Sequence, residues 1–496
     1  MSDSNLIFDC QVKQGTGYSD AIHSLDFKTI LMVGDPVCQI TSIFQDRIEI
    51  GQRFHQKNTL GCKQFRKIVQ YKVNLLSDIQ MPYSRPHLKT LKARLDEPPK
   101  FMIVVAGPRQ IGKSTMVRQA LAGRPSTFEA TDQSATVTVD PFSDAASTIQ
   151  GEPGAKATEK WIVDKWTQAR AKARSLPPGQ CHVLAIDEIQ KIPRWSEVVK
   201  GLWDADRAEQ VSLHIVLLGS SPWLMQKGLT ESLAGRYEPI HMSHWSYGEM
   251  QEAFDFSLDE YIYFGGYPGA ASLISNETRW RQYVRDALIK PNIESDILQM
   301  TRVEKPALLK NLFELGCGAY SGQLVALTKL LGQLQDAGNT VTLAHYLDLL
   351  SQAGLLTGLQ KYAGQELRRR ASPPKFNAHN TALISAQAKY TFEQAQNDRT
   401  YWGRLVESAI GTHLINNKPE NSSLYYWRES PSEVDFVLTY GEKLLAIEVK
   451  SGDDYVAPKG LQVFAEKFKN VTPMVVGADG VAISDFLLQP VESWMK

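Results

Sequence analysis

Cysteine is scarce in this chain. There are five, Cys10, Cys38, Cys62, Cys181 and Cys317, scattered and odd in number, with no CxxC pair. That pattern indicates neither a disulfide framework nor a thiolate zinc site, and a reducing cytoplasm is the simplest compartment to expect. Charge of one sign is also missing, because 54 Lys and Arg balance 54 Asp and Glu. Neutrality excludes a globally basic nucleic-acid coat and an acidic solvating tail, though not a local basic groove. No apolar run approaches the roughly 18 residues of a membrane span, so no membrane partner is expected. The first ten residues, MSDSNLIFDC, have neither a basic n-region nor a long apolar h-region, and give no secretory signal. No internal repeat or low-complexity tract stands out.

What remains is ordinary globular material. Of 496 residues, 43% are hydrophobic and 22% charged, the balance of a folded soluble chain. At roughly 150 residues per domain this length predicts about three domains. Residues 1–80 contain strand-like runs (KTILMV, ITSIF) but no motif. At Met81 the character changes to a basic, helix-capable stretch, MPYSRPHLKTLKARLDEPPK. Two readings of residues 1–80 stand side by side: sequence upstream of a true start at Met81, or an accessory extension.

From Phe101 short apolar runs (FMIVVAG, HVLAIDEIQ, HIVLLGSS) alternate with amphipathic helices (KSTMVRQAL, WIVDKWTQARAKAR, WSEVVKGLWDAD). This alternation predicts an α/β fold with a parallel sheet covered on both faces over residues 81–250. The polar stretch 131–155 reads as loop. Residues 251–390 read as helical, with apolar positions at three-and-four spacing in ALLKNLFELGCGAY, TKLLGQLQDAG and LAHYLDLLSQAGLL. A hairpin is expected at LLTGLQKYAG, and short helices followed by a hairpin suggest a winged helix-turn-helix. Residues 391–496 return to mixed α/β character, a helix (WGRLVESAIGTHLI) before strands in LYYWR, EVDFVLTY and KLLAIEVKS.

Gly107, Pro108, Arg109, Gln110, Ile111, Gly112, Lys113 and Ser114, followed by Thr115, satisfy G-x-x-x-x-G-K-[ST] at every fixed position. Glycines let such a loop wrap a phosphate with its N–H groups turned inward, and the following helix adds its positive end. Lys113 is expected to reach the β- and γ-phosphates of ATP, and the Ser114 hydroxyl to ligate Mg²⁺. In VLAIDEIQ, four apolar residues end at Asp187, a second Mg²⁺ ligand, and Glu188 follows as the candidate general base for water. Ser220 and Ser221 end the IVLLGSS run, where a small polar group can sense the γ-phosphate. Arg236, just after a glycine in SLAGRYEPI, is a candidate arginine finger, in its own subunit or a neighbour's. A strand-end turn and a structural arginine are the plainer readings of these last two.

Near the C-terminus, Asp435 lies in SEVDFVL and Glu448 and Lys450 in AIEVKSG. Glu448 and Lys450 share a face of their strand. If the two strands are adjacent, the carboxylates can hold Mg²⁺ and the lysine can orient a water, which is equipment for phosphodiester hydrolysis. Glu407 on the preceding helix could add a third carboxylate. Solvated strand ends are the alternative. Weaker signals are His241 and His244, whose spacing suits a metal but which lack a third ligand; Arg368, Arg369 and Arg370, placed to touch nucleic-acid phosphates or solvent; and FGGYPGA at 264–270, a tight turn between helical units.

The ordered series GPRQIGKST, LAIDEIQ, LLGSS, LAGR, FGGYPG, EVDF and IEVKSG, over about residues 81–496, resembles bacterial and archaeal AAA-type ATPases with a C-terminal restriction-endonuclease-like domain of unassigned function. The resemblance implies a P-loop ATPase core, a winged-helix middle and a PD-(D/E)xK-type end. It implies ATPase roles for Gly107 to Thr115, Asp187, Glu188 and Arg236, and nuclease-type roles for Glu407, Asp435, Glu448 and Lys450. Val434 stands where that pattern has proline. The expected activity is ATP hydrolysis coupled to DNA, with cleavage at the C-terminal site. The alternatives are an ATP-controlled switch that binds DNA or a partner through an inactive nuclease-like domain, and an ATPase whose C-terminal domain only mediates homo-oligomerisation.

Overall fold

In the computed structural model the described residues are 83–131, 157–220, 225, 229, 232–298, 303–334, 339–363, 372–452 and 459–495. All belong to one unit, Tyr83–Lys496. The expectations for residues 1–80, for the loop beyond Thr131, for Ser221 and for Arg368 to Arg370 lie outside the described residues.

The basic stretch after Met81 forms helix α1 (His87–Asp96), which leads into strand β1 (Met102–Ala106) and helix α2 (Lys113–Leu121). Then come β2 (Ser126–Ala130), α3 (Glu159–Ser175), β3 (His182–Asp187), α4 (Trp195–Ala208), β4 (Leu213–Gly219) and β5 (Tyr237–His241). The five strands are all parallel, in the order β2-β3-β4-β1-β5. Every residue of β1 and β4 is buried, and the two faces divide by alternation. Ile103, Val105, Val216 and Leu218 face the core that includes α1 and α2. Met102, Val104, Ile215 and Leu217 face Trp166, Trp195 and Trp203 of α3 and α4. Three of the chain's tryptophans are thereby packing anchors, each contributing on the order of 2–3 kcal/mol through burial.

The middle of the chain is helical. Helices α5 (Tyr247–Phe254) and α6 (Leu258–Phe264) each start with a full capping box, Ser246 with Glu249 and Ser257 with Glu260. Helices α7 (Pro306–Gly318) and α8 (Thr340–Gln352) follow. The strand expected in LLTGLQKYAG is β6 (Leu356–Lys361), but its partners differ from those of a free-standing wing. It pairs antiparallel with β7 (Lys375–Ala378) and parallel with β8 (Ser422–Glu429). After α9 (Arg399–Asn417) come β8, β9 (Ser432–Tyr440), β10 (Lys443–Lys450), helix α10 (Lys459–Lys467) and β11 (Val471–Gly477). One six-stranded sheet, β11-β10-β9-β8-β6-β7, therefore takes strands from both sides of residue 390. No described helix is long and apolar enough to cross a membrane.

Candidate functional site

The phosphate loop joins β1 to α2, and its backbone explains its sequence. Gly112 has φ 88° and Gln110 φ 59°, both in the left-handed region, where glycine alone is unstrained. A Cβ on Gly107 would lie 2.1 Å from the carbonyl oxygen of Met242, the residue that follows β5 and donates its N–H to Ala106. Lys113 is buried, and its Nζ donates to the carbonyls of Gly107 (2.9 Å) and Pro108 (2.7 Å). Ile111 is buried, Gln110 and Thr115 are exposed, and Arg109 lies between.

Strand order places the acidic groups. Because β4 lies between β1 and β3, the end of β4 separates the phosphate loop from Asp187 and Glu188. Ser114 Oγ donates to Asp187 Oδ2 at 2.6 Å across 73 residues of sequence. Burial pushes the Asp187 carboxyl up, and the Ser114 bond and the nearby Lys113 partly offset it. Two hard oxygen donors touching at a helix N-terminus fit a magnesium ion. Glu188 has φ 57° and caps a short 3₁₀ turn. Its Oε2 accepts from Ser220 Oγ (2.8 Å) and from Gln190 Nε2 (2.8 Å). Gln190 was not foreseen in the sequence, although its place two residues after the acidic pair could have marked it.

A second unforeseen group braces the loop from behind. Arg85 forms a bidentate pair with Glu249 (2.8 and 2.9 Å), both mostly buried, and its NH1 donates to the Ser243 carbonyl at 2.9 Å. Trp245 Nε1 donates to the Ile111 carbonyl at 2.9 Å. His244 is not a metal ligand here. Its Nε2 lies 2.9 Å from the Gly354 carbonyl and its Nδ1 3.2 Å from Asn380 Nδ2, and burial pulls its pKa down to about 4. Asn380 Oδ1 in turn accepts from Gly266 N in the FGGYPGA turn. Pro108 lies directly against Gly354.

Arg236 is not brought to the phosphate loop of its own subunit. It precedes β5 at the end of the sheet where Met102 begins β1, and Met102 N donates to its carbonyl. The five residues of β1 span about 16 Å at ~3.3 Å each. Arg236 instead pairs bidentately with Asp204 on the surface (2.8 and 3.1 Å).

The C-terminal candidates do converge, with an uninvited lysine among them. β9 and β10 are adjacent and antiparallel, and Val449 N donates to Asp435 Oδ2 at 2.9 Å. Lys375, from β7, is buried with its Nζ 2.5 Å from Glu407 Oε1 and 3.2 Å from Asp435 Oδ1. Burial works against that ammonium, but Asp435 and Glu407 outweigh it and hold its pKa above the usual lysine range. Burial pushes both Glu407 and Glu448 up to about 7. Glu448 Oε1 pairs with Lys450 at 2.7 Å, while its Oε2 is buried without a partner. Among the described residues no group of three His, Cys, Asp or Glu is arranged to hold a metal ion. Asp435 and Glu448, the pair expected to hold Mg²⁺, lie on these neighbouring strands, close enough for the Asp435 charge to act on the Glu448 carboxyl.

Residues 99–251 match the family described as AAA domain. Residues 255–394 and 402–484 match two domains of unknown function, DUF8612 and DUF4143. Among solved structures, the Walker-type ATPase PABY2304 of Pyrococcus abyssi is 15% identical, with 62% of this chain and 98% of that one covered at a TM-score of 0.38. Two RuvB variants of Thermotoga maritima are 18% and 17% identical, each covering 55% of this chain and 85% of its own, at TM-scores of 0.24. No curated protein matches the chain. The parallel sheet, the phosphate loop and the AAA match together define a P-loop ATPase domain of AAA type.

Proposed function

We propose that this protein binds and hydrolyses ATP with Mg²⁺, and that the nucleotide state is transmitted to its C-terminal half as a switch acting on DNA or a protein partner. One observation carries the hydrolytic part: the contact of Ser114 with Asp187 beside a Glu188 carboxylate held by Ser220 and Gln190. Bound with the nucleotide, Mg²⁺ would neutralise charge on the β- and γ-phosphates, with Ser114 and Asp187 as its protein ligands. Lys113 would exchange the carbonyls of Gly107 and Pro108 for phosphate oxygens. Glu188 would take the proton of the attacking water, and Ser220 and Gln190 would fix its direction.

The switch reading is supported by the seam behind the loop. Pro108 touches Gly354, and His244 joins Gly354 to Asn380, so a shift of the loop on nucleotide binding meets residues at the roots of β6 and β7. The antiparallel β8-β9-β10 run, with Asp435 and Glu448 on neighbouring strands, supports kinship with a nuclease fold, while the ion pairing of its carboxylates weighs against cleavage. Arg236 enters this proposal only as a group donated to a second copy of the chain.

The deciding experiment is ATP turnover and nucleotide binding by the full chain, with Lys113→Ala and Glu188→Gln beside it. Wild type should hydrolyse ATP, Glu188→Gln should bind it yet lose at least about 100-fold in rate, and Lys113→Ala should lose binding. A wild-type chain that neither binds nor hydrolyses ATP overturns the proposal. Mixing Arg236→Ala with Lys113→Ala chains tests donation in trans, which predicts partial recovery of turnover in the mixture.

A further inference from the structure

Lys375 comes from a strand 32 residues before Glu407, yet it sits at the centre of the C-terminal carboxylates. Its ammonium donates to the Asp435 carbonyl (3.1 Å) and carboxylate (3.2 Å), lies 2.5 Å from Glu407, and rests 4.5 Å over the Phe436 ring. Both oxygens of Asp435 are thereby engaged, one by Lys375 and one by the Val449 amide. One Glu448 oxygen is engaged by Lys450, and the other, Oε2, is buried without a partner. Magnesium requires near-octahedral oxygen ligands at about 2.1 Å. Between Glu407 and Asp435 that position is taken by a cation the chain supplies itself. A divalent ion could enter only by displacing a buried ammonium, or by lying beside it against charge repulsion. The cavity over the cluster, about 310 Å³, is lined by Glu407, Glu433, Asp435 and Arg428 as well as Lys375, and Arg428 pairs with Glu433 at 3.6 Å.

We infer that Lys375 stands where a divalent metal bridging Glu407 and Asp435 would have to stand, so that this carboxylate pair is neutralised by the chain's own cation and does not bind a catalytic metal. The cluster ties β7 to α9 and β9: Lys375 is the pin, Glu407 and Asp435 the sockets. Its function is positioning the β6–β7 hairpin against the helix and sheet behind it. Asn377, two residues on, meets Gly411 of α9 on the same seam.

Manganese binding tests this without nucleotide, by the loss of the free-ion paramagnetic resonance signal on titration of the full chain. The parent carries Asp187→Asn, which removes the phosphate-loop carboxylate. The parent and its Asp435→Asn derivative should titrate alike, with no stoichiometric site. Lys375→Gln should gain one Mn²⁺ per chain, at least tenfold tighter than the parent, and Lys375→Arg, which keeps the cation, should gain none. One Mn²⁺ bound by the parent and lost in Asp435→Asn would overturn the inference, as would a folded Lys375→Gln that gains nothing. If Lys375→Gln does not fold, the comparison of parent with Asp435→Asn decides alone.

Discussion

At the residue scale the strongest constraints lie where backbone approaches backbone. Gly107 has no room for a methyl group, because the Met242 carbonyl occupies it. Gly107→Ala is expected to lose about 2–4 kcal/mol and most ATP affinity, measured by urea unfolding and nucleotide titration. Gln190→Leu has a different signature. It leaves Lys113, Ser114 and Asp187 in place but removes one of the donors that hold Glu188, beside Ser220 and the Lys191 ammonium at 3.7 Å. It should lower the turnover rate by about 10-fold or more while leaving ATP affinity near wild type. Equal loss of both would assign Gln190 a merely structural role.

At the element scale, much was legible in advance because the signals were local. The helix KSTMVRQAL occupies Lys113–Leu121, and the apolar runs before Gly107, Asp187 and Ser220 are the three central strands. β2 escaped notice because STFEA is half-buried and polar at three of five positions, which gives no apolar run to read. Lys375, Arg85 and Glu249 escaped for another reason: their meaning comes from partners 32 to 164 residues away, and no spacing rule reaches that far. The Arg85–Glu249 pair is the clearest test of such a long-range tie. Arg85→Ala strands a buried carboxylate beside the loop, and should cost about 3–5 kcal/mol in unfolding free energy. The double change Arg85→Met with Glu249→Leu should recover most of it.

For the whole molecule, acidity is the lever. Burial holds the Glu407 and Glu448 pKa values near 7, above the ordinary carboxylate range. A raised carboxyl pKa contributes stability that is complete below about pH 4.5 and is lost as pH rises through about 7. From these two groups the folded state therefore weakens between about pH 4.5 and 7. In Glu448→Gln that slope should flatten, by about 2 kcal/mol over the interval, in denaturant titrations at several pH values. An unchanged slope would show that Glu448 ionises normally in the folded chain.

The shared sheet has a consequence for how the chain fails. Strand β8 meets β6 at Gln360 and Lys361, and Tyr362 packs its ring against Phe464 and Phe468. A fragment starting at residue 391 keeps β8 but loses its neighbour, leaving a bare row of amides and carbonyls next to uncovered aromatic rings. Such an edge recruits the same edge of another molecule. Proteolysis ahead of α9 would thus turn the C-terminal half into a seed for aggregates, whereas a fragment that keeps β6 with the helices α7 and α8 packed on it would carry its own guard strand.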